Sequence, residues 1–319
     1  MTSVVLTSSD AHPRLVRLAD VARGFIVQSR APRTVQAYTA QWKAFVGWCE
    51  VHGETCLPAR PETVALYLSD GAERGLSVAT LGLAISAIAE AHTIAGHPAL
   101  RDHLVVRETL RGIRRTRGGA QRGKAAISAD DLRAILAKIP ADTLLGVRDR
   151  ALFLGGFLGG FRRSELVGMR VEHVRRRSAG MVVDLFGNKD DDRLVGREVP
   201  ILRGVEPYCP VKALDAWLKA AAIESGPVFR SVDRHGRLGG GLAGGSVATI
   251  VKGRAQAAGL DYSKISGHSL RAGFVTAAHL NGASLEAIMK VTGHQSYEMA
   301  MRYIRKADPF TQHPAAGLL

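Results

Sequence analysis

Four residues between positions 268 and 303 have the types and spacing that chemistry at a phosphodiester requires. His268 and Arg271 are three residues apart in a run whose apolar residues fit a helix, so both side chains lie on one face. His294 directly follows Gly293, which is predicted to end a second helix, and Tyr303 is nine residues further on. Such a set can bind a phosphate oxygen, transfer a proton and supply a nucleophile.

Each of these residues also has an ordinary structural interpretation. A single histidine is more often structural than catalytic, and a single tyrosine is more often part of a core. The combination favours a site because a tyrosine, with a pKa of about 10, attacks a phosphodiester near neutral pH only if nearby cations offset the developing charge. Arginine is suited to this task, since its planar guanidinium donates two hydrogen bonds to neighbouring phosphate oxygens.

These residues resemble the C-terminal signature of the tyrosine recombinase (phage integrase) family, which is H-x-x-R, then G-H, then a tyrosine nine residues after that histidine. The family also has an earlier arginine in a phrase such as G-L-R-x-S-E-L. Here residues 160–166 are GFRRSEL, so that Arg162 rather than Arg163 takes the catalytic place. The resemblance extends over nearly the whole chain and implies an enzyme that breaks and rejoins DNA strands at specific sites.

The resemblance gives these residues their expected roles. Tyr303 is expected to attack the phosphorus and form a 3′-phosphotyrosyl bond, which leaves a free 5′-hydroxyl. Arg162, Arg271 and His294 are expected to donate hydrogen bonds to the phosphate oxygens, as preorganised donors that stabilise the transition state. His268 is expected to act as a general acid or base near the tyrosine, because the pKa of histidine is naturally close to the working pH.

Two further residues complete the expected site. Glu165 lies three residues after Arg162 on a predicted short helix and is expected to orient it. The family has a lysine general acid on a β-hairpin, and here two strand-like runs, 180–185 and 197–201, flank a polar turn in which Lys189 is the only lysine. Because the covalent link conserves the phosphodiester energy, neither ATP nor a metal is expected as a cofactor, and the sequence has no Asp/Glu cluster typical of magnesium.

The fold expected to position these residues is mainly α with a small β-sheet. Residues 13–118 have apolar positions at helical spacing, such as Trp42 and Phe45, and predict an N-terminal helical bundle that resembles the family's SAM-like core-binding domain. Ser128 begins a capping-box pattern in front of a C-terminal α+β catalytic domain, 128–303. The remaining parts are expected to be a disordered tail at 1–12, a linker at 119–127 and a C-terminal tail at 304–319 that is exchanged between protomers.

The charge of the chain indicates a polyanionic partner. The formal net charge is +14, and both halves of the chain carry an excess of basic residues. Residues 111–124 contain six basic and no acidic residues together with glycines, and we interpret this stretch as a flexible segment that contacts DNA phosphates, although an ordinary solvated linker is the alternative. The expected DNA contacts are Arg111, Arg114, Arg115, Arg117, Arg122 and Lys124.

The expected partner is double-stranded DNA with inverted-repeat half-sites, on which the resemblance implies a homotetramer that holds two DNA sites. The three cysteines form an odd set without C-x-x-C spacing, which favours a reducing compartment. The sequence has neither a signal-peptide pattern nor a long apolar run, so no membrane association is expected. We therefore expect a cytoplasmic, nucleoid-associated protein.

Two alternatives stay open at this point. A type IB topoisomerase resembles the family in its tyrosine and arginines but relaxes DNA without exchanging partners. A catalytically silent DNA-binding regulator could keep the same fold, although all the expected catalytic residue types are present in this chain.

Overall fold

The computed structural model describes residues 14, 17, 18, 21, 32–118, 124–186 and 196–304. These residues form two compact units, one made of the described residues up to 118 and the other of those from 124 onwards. No helix within these ranges is long and apolar enough to cross a membrane. The predicted tail at 1–12 and residues 305–319 of the predicted tail at 304–319 lie outside the described residues.

The first unit is a bundle whose described part, from residue 32 to 118, contains four α-helices. They are α1 (Pro32–His52), α2 (Pro61–Glu73), α3 (Val78–Ile94) and α4 (Leu104–Arg117). Their starts follow local chemistry: Pro61 occupies the first turn of α2, and the Ser77 side chain caps α3 by accepting a hydrogen bond from the Thr80 amide. Phe45 and Leu68 are fully buried in the core. The predicted helical bundle is confirmed.

The arginine-rich residues 111–117 are helical, so the prediction of a flexible segment is wrong for them. Val106, Leu110 and Ile113 recur at helical spacing and pack against the core of the bundle, which holds α4 in place. The exposed side chains of α4 include four of the predicted DNA contacts, namely Arg111, Arg114, Arg115 and Arg117. Of these, Arg117 lies on the same face as the apolar residues, and its Nη1 donates to the carbonyl of Ala72 on α2. The fifth, Arg122, lies outside the described residues.

The second unit combines helices with two small antiparallel sheets. Its helices are α5 (Ala129–Ala137), α6 (Leu144–Leu158), α7 (Arg163–Gly168), α8 (Pro210–Ala220), α9 (Gly244–Ala257), α10 (Ser269–Leu280), α11 (Leu285–Thr292) and α12 (Tyr297–Ile304). One sheet has the order β1 (Val174–Arg177), β2 (Gly180–Leu185), β3 (Arg197–Leu202), and the other pairs β4 (Arg230–Val232) with β5 (Leu238–Gly241). The mainly α fold with a small sheet and the hairpin formed by β2 and β3 are confirmed.

Helix α6 lies at the centre of this unit and is buried on nearly every side. Leu152, Phe153 and Phe157 are buried on it, and the helix packs against α8 and α10. On α8, Trp217 is fully buried and donates its indole N–H to the carbonyl of Val228 at 2.8 Å. A short glycine turn connects α6 directly to α7. Because α6 is fixed in the core, the residues around position 162 are fixed as well.

The segment expected to end the linker belongs to the second unit. The Ala125 amide donates to the Lys264 carbonyl at 2.7 Å, and the Ile127 amide donates to the Ser269 carbonyl at 3.1 Å. Ile127 is fully buried. On α10, Gly273 faces this segment so closely that an added Cβ would lie 2.1 Å from the Ile127 carbonyl oxygen. Packing therefore begins before the expected domain start at residue 128.

We predict that Gly273→Ala destabilises the second unit by roughly 1–3 kcal/mol, because the added methyl group must displace backbone or the ring of Phe157, which is 2.6 Å away. The measurement is urea unfolding of the full chain carrying Trp42→Phe and Trp48→Phe, which leaves Trp217 as the fluorescent probe of this unit.

Gly253→Ala is the matched control. Gly253 lies on the exposed side of α9 with open space around its Cα, so alanine there should stabilise the helix by up to about 1 kcal/mol. Equal stability of the two variants would contradict the close approach of α10 to residue 127.

Candidate active site

The carboxylate of Glu165 is the centre of an arginine cluster. Glu165 is in the first turn of α7, and its Oε2 accepts a hydrogen bond from the Arg162 amide at 2.6 Å, which closes a capping box. Its Oε1 accepts from Arg162 Nη1 at 2.7 Å, and Oε2 also accepts from Arg197 Nη2 at 2.7 Å. Burial alone would raise the pKa of this carboxyl, but Arg197 and the amide of Arg162 hold it below its ordinary value.

The second terminal nitrogen of the Arg162 guanidinium is held by a left-handed turn. Its Nη2 donates to the carbonyl of Gly293 at 2.9 Å, and Gly293 ends α11 with φ of 68°. A side chain at this position would also meet Arg197, since an added Cβ would lie 2.8 Å from Arg197 Nη1. The guanidinium of Arg162 remains partly exposed, with 38% of the side chain accessible, so it can still receive a ligand.

Arg271 is almost completely buried, with an exposed fraction of 2%. Its Nη1 donates to the carbonyl of Gly160 at 2.7 Å, and Gly160 presents this carbonyl from a second left-handed turn, with φ of 56°. Its Nη2 is buried and has no hydrogen-bond partner within the described part of the chain. Burial and the nearby charge of Arg162 lower the pKa of Arg271 to about 10. A buried, unpaired cationic donor of this kind is suited to an anionic ligand.

His294 is also buried, with an exposed fraction of 6%. Its Nδ1 lies 2.8 Å from the hydroxyl of Thr292, and its ring centroid lies 5.4 Å from that of Tyr303. Burial, followed by the charges of Arg271 and Arg162, lowers the pKa of His294 to about 4. The imidazole is therefore uncharged at neutral pH in the absence of a ligand.

His268 and Tyr303 line one cleft of about 330 Å³ beside this cluster. His268 directly precedes α10 and is exposed to the cleft, where partial removal of its ring from water and the charge of Arg163 lower its pKa. Tyr303 is half-buried on α12 and packs against the small apolar cluster of Val275 and Ile288. Lys124 lies in the same cleft and donates to the carbonyl of Ser263 at 2.7 Å.

A second tyrosine on α12, Tyr297, is oriented differently. It is six residues before Tyr303, which places the two side chains on different faces of the helix. Its hydroxyl donates to Oε1 of Glu286 at 2.9 Å, and this hydrogen bond raises the pKa of Tyr297. Tyr303 is thus the tyrosine of α12 that lines the cleft with His268.

Six of the residues predicted for the site lie in or beside this cluster and cleft: Arg162, Glu165, His268, Arg271, His294 and Tyr303. Lys189 lies outside the described residues. Sequence reasoning missed Arg197 and Thr292, whose roles arise from contacts that no local pattern indicates. Within the described ranges, no group of His, Cys, Asp and Glu side chains is suited to hold a metal ion.

Two protein-family models match the chain. The model described as phage integrase family matches residues 126–309, and the model described as phage integrase, N-terminal SAM-like domain, matches residues 25–95. An integrase/recombinase XerD homolog of Selenomonas ruminantium is 37% identical over 305 residues, which cover 92% of this chain and 87% of that protein. The tyrosine recombinase XerD of Caulobacter vibrioides is 26% identical over 289 residues, which cover 90% of each protein.

Solved structures share the fold. A lambda integrase dimer bound to a COC′ core site has a TM-score of 0.61 at 16% identity, with 94% of this chain and 83% of that chain covered. A lambda integrase tetramer bound to a Holliday junction has a TM-score of 0.58 at 15% identity, with 94% of this chain and 80% of that chain covered. The chain therefore shares with these integrases the fold of a helical first unit and of an α+β second unit.

We predict that Arg197→Ala lowers the free energy of unfolding of the second unit by about 2 kcal/mol at pH 7, because Glu165 loses a charged hydrogen-bond donor. A carboxyl whose pKa is lowered by folding stabilises the fold above its unfolded pKa, about 4.5, and this contribution is lost as the pH falls through the folded value. The destabilisation measured by urea unfolding should therefore shrink as the pH is lowered from 7 to about 3.

The control is Arg176→Ala, which removes an ion pair with Asp215 in which the side chains are 46% and 44% exposed. That loss should be below about 1 kcal/mol. An equal effect of the two substitutions would mean that Arg197 does not support Glu165.

Proposed function

The chain belongs to the phage integrase family, and we propose that it is a tyrosine site-specific recombinase that cuts and rejoins DNA strands through a covalent bond to Tyr303. The observation that carries this proposal is the buried Nη2 of Arg271, which has no hydrogen-bond partner among the described residues and lies in the cluster beside the cleft that Tyr303 lines. A site that concentrates positive charge next to a tyrosine is suited to a phosphodiester and to the extra charge that develops when it is attacked.

The arginines would bind the scissile phosphate. Arg271 offers the free Nη2, and Arg162 offers the exposed part of its guanidinium while Glu165 and the Gly293 carbonyl hold it in place. Preorganised donors of this kind each contribute a few kcal/mol to stabilising a transition state, since they need not reorient as charge develops.

The chemistry is a transesterification. The Tyr303 oxygen bonds to phosphorus, the bond between phosphorus and the 5′ oxygen of the next nucleotide breaks, and a 3′-phosphotyrosyl link forms. The phenol proton passes to a general base, for which His268 is suited because its lowered pKa keeps it neutral. The departing oxygen takes a proton from Lys189, the role that the family resemblance assigns. Attack by a 5′-hydroxyl of another strand reverses these steps, and the link conserves the energy, so the chemistry requires no ATP.

The proposed partner is double-stranded DNA with inverted-repeat half-sites, one protomer on each. A homotetramer would hold two sites, which recombine through a Holliday junction, and the tail at 304–319 would be exchanged between protomers. The exposed arginines of α4 support DNA binding by the first unit, because cations that neutralise phosphates release counterions. The location proposed for this activity is the cytoplasm, on the nucleoid.

Recombination is favoured over the alternatives by the relatives described above, which are named recombinases and integrases. A catalytically silent regulator would have no need for a buried Arg271 whose Nη2 finds no partner in the described parts of the chain. Relaxation of DNA without exchange of partners, as in a type IB topoisomerase, is distinguished by assaying supercoil relaxation beside recombination between two sites.

We predict that Tyr303→Phe abolishes the covalent protein–DNA adduct on a nicked substrate, because the only atom lost is the attacking oxygen. DNA binding measured by gel shift should be unchanged, since the ring and its packing are retained.

Tyr297→Phe is the matched control on the same helix, and it should form the adduct at the normal rate because Tyr297 is paired with Glu286. An adduct that persists in Tyr303→Phe and disappears in Tyr297→Phe would contradict the assignment of the nucleophile.

A further inference from the structure

The hydroxyl of Thr292 has two neighbours but only one proton to donate. Its Oγ1 lies 2.7 Å from the carbonyl oxygen of Ile288, one turn earlier on α11, and 2.8 Å from Nδ1 of His294. A carbonyl oxygen can only accept, so the hydroxyl proton goes to Ile288. The hydrogen bond to the histidine is then satisfied only if Nδ1 carries a proton and donates it to Thr292.

This arrangement determines whether the other ring nitrogen, Nε2, carries a proton. A neutral imidazole has one N–H, so a proton on Nδ1 leaves Nε2 with a lone pair. Thr292 is fully buried, so its hydroxyl cannot rotate to donate its proton to bulk water instead of to Ile288. In the empty site His294 therefore offers an acceptor, whereas a phosphate oxygen needs a donor.

We propose that Thr292 is a positioning residue that fixes His294 as the Nδ1–H tautomer, so that Nε2 must gain a proton before it can donate to a phosphate oxygen. This inference rests on the proposed function, because it concerns how the same site receives its phosphodiester. Nothing in the signature around Gly293 and His294 requires a hydroxyl at position 292, so the control of the His294 tautomer by Thr292 is a property of this chain's own residues.

The surroundings of His294 make this protonation dependent on the ligand. The charged or titratable groups that face it from the neighbouring elements are Arg271 on α10, Arg162 and Glu165 at α7, Arg197 on β3 and Tyr303 on α12. Burial, together with three cations against one carboxylate, disfavours the imidazolium in the DNA-free protein. An entering phosphodiester brings a negative charge and offsets them, and the proton is then taken from the solvent.

The direct test is the tautomer of His294 in the full-length, DNA-free protein. Nitrogen-15 NMR of protein labelled at its 11 histidines distinguishes protonated from unprotonated ring nitrogens, and His294→Gln identifies the signals. We expect Nδ1 of His294 to be protonated in the wild type and in Thr292→Ser, which keeps the hydroxyl. Thr292→Val has the same shape without an acceptor, and we expect the proton to be at Nε2. A wild-type histidine protonated at Nε2 alone would overturn the proposal.

The kinetic test is the pH profile of adduct formation in a single turnover on a nicked substrate. Neutral His294 in Thr292→Val can donate through Nε2, whereas the wild type needs an added proton. The rate of Thr292→Val relative to the wild type should therefore rise at least threefold from pH 6 to pH 9, while Thr292→Ser follows the wild type. A merely structural role of Thr292 predicts a constant ratio, and that result would overturn the proposal. The NMR result does not depend on DNA cleavage, so its failure is distinguishable from failure of the proposed function.

Discussion

The second unit depends on one constraint, which is the confinement of three guanidinium groups around a single carboxylate. Glu165 accepts hydrogen bonds from Arg162 and Arg197, and its Oε2 lies 4.0 Å from Nη1 of Arg271. One negative charge cannot offset three positive charges that are largely removed from water. The cluster therefore retains an excess of positive charge. Burial, reinforced by the neighbouring cations, lowers the pKa values of Arg271, His268 and His294.

Backbone geometry keeps this unfavourable arrangement in place. Gly160 and Gly293 both have left-handed conformations, and their carbonyl oxygens accept from Arg271 and Arg162 respectively. Neither position has room for a side chain, since an added Cβ would lie 2.7 Å from Phe274 at the first and 2.8 Å from Arg197 at the second. Two tight turns thus hold two cations close enough to repel each other, and this repulsion is relieved when an anion enters.

The sequence was sufficient to predict which polar residues lie together in the cluster and the cleft and which elements carry them. The histidines, arginines and tyrosine of the signature, the helical bundle and the hairpin formed by β2 and β3 follow from local spacing. The supporting contacts do not, because they join distant positions: Arg162 is 131 residues from Gly293, Arg271 is 111 from Gly160, and Arg197 is 94 from Val291. The basic stretch after residue 110 was predicted to be flexible because of its charge and glycine content. It is helical instead, because the apolar stripe of α4 packs against the bundle, a long-range contact that the local sequence does not show.

The central claim is that the buried charge of Arg271 offsets the negative charge of the phosphate under attack. The most direct measurement is adduct formation by Arg271→Ala on two nicked substrates, one with the normal scissile phosphodiester and one with an uncharged methylphosphonate in its place. The account predicts a loss of about 10²–10³-fold on the normal substrate, the size expected for a preorganised donor, and a rate near that of the wild type on the uncharged one. An equal defect on both substrates would contradict it, because Arg271 would then support the fold rather than the charge.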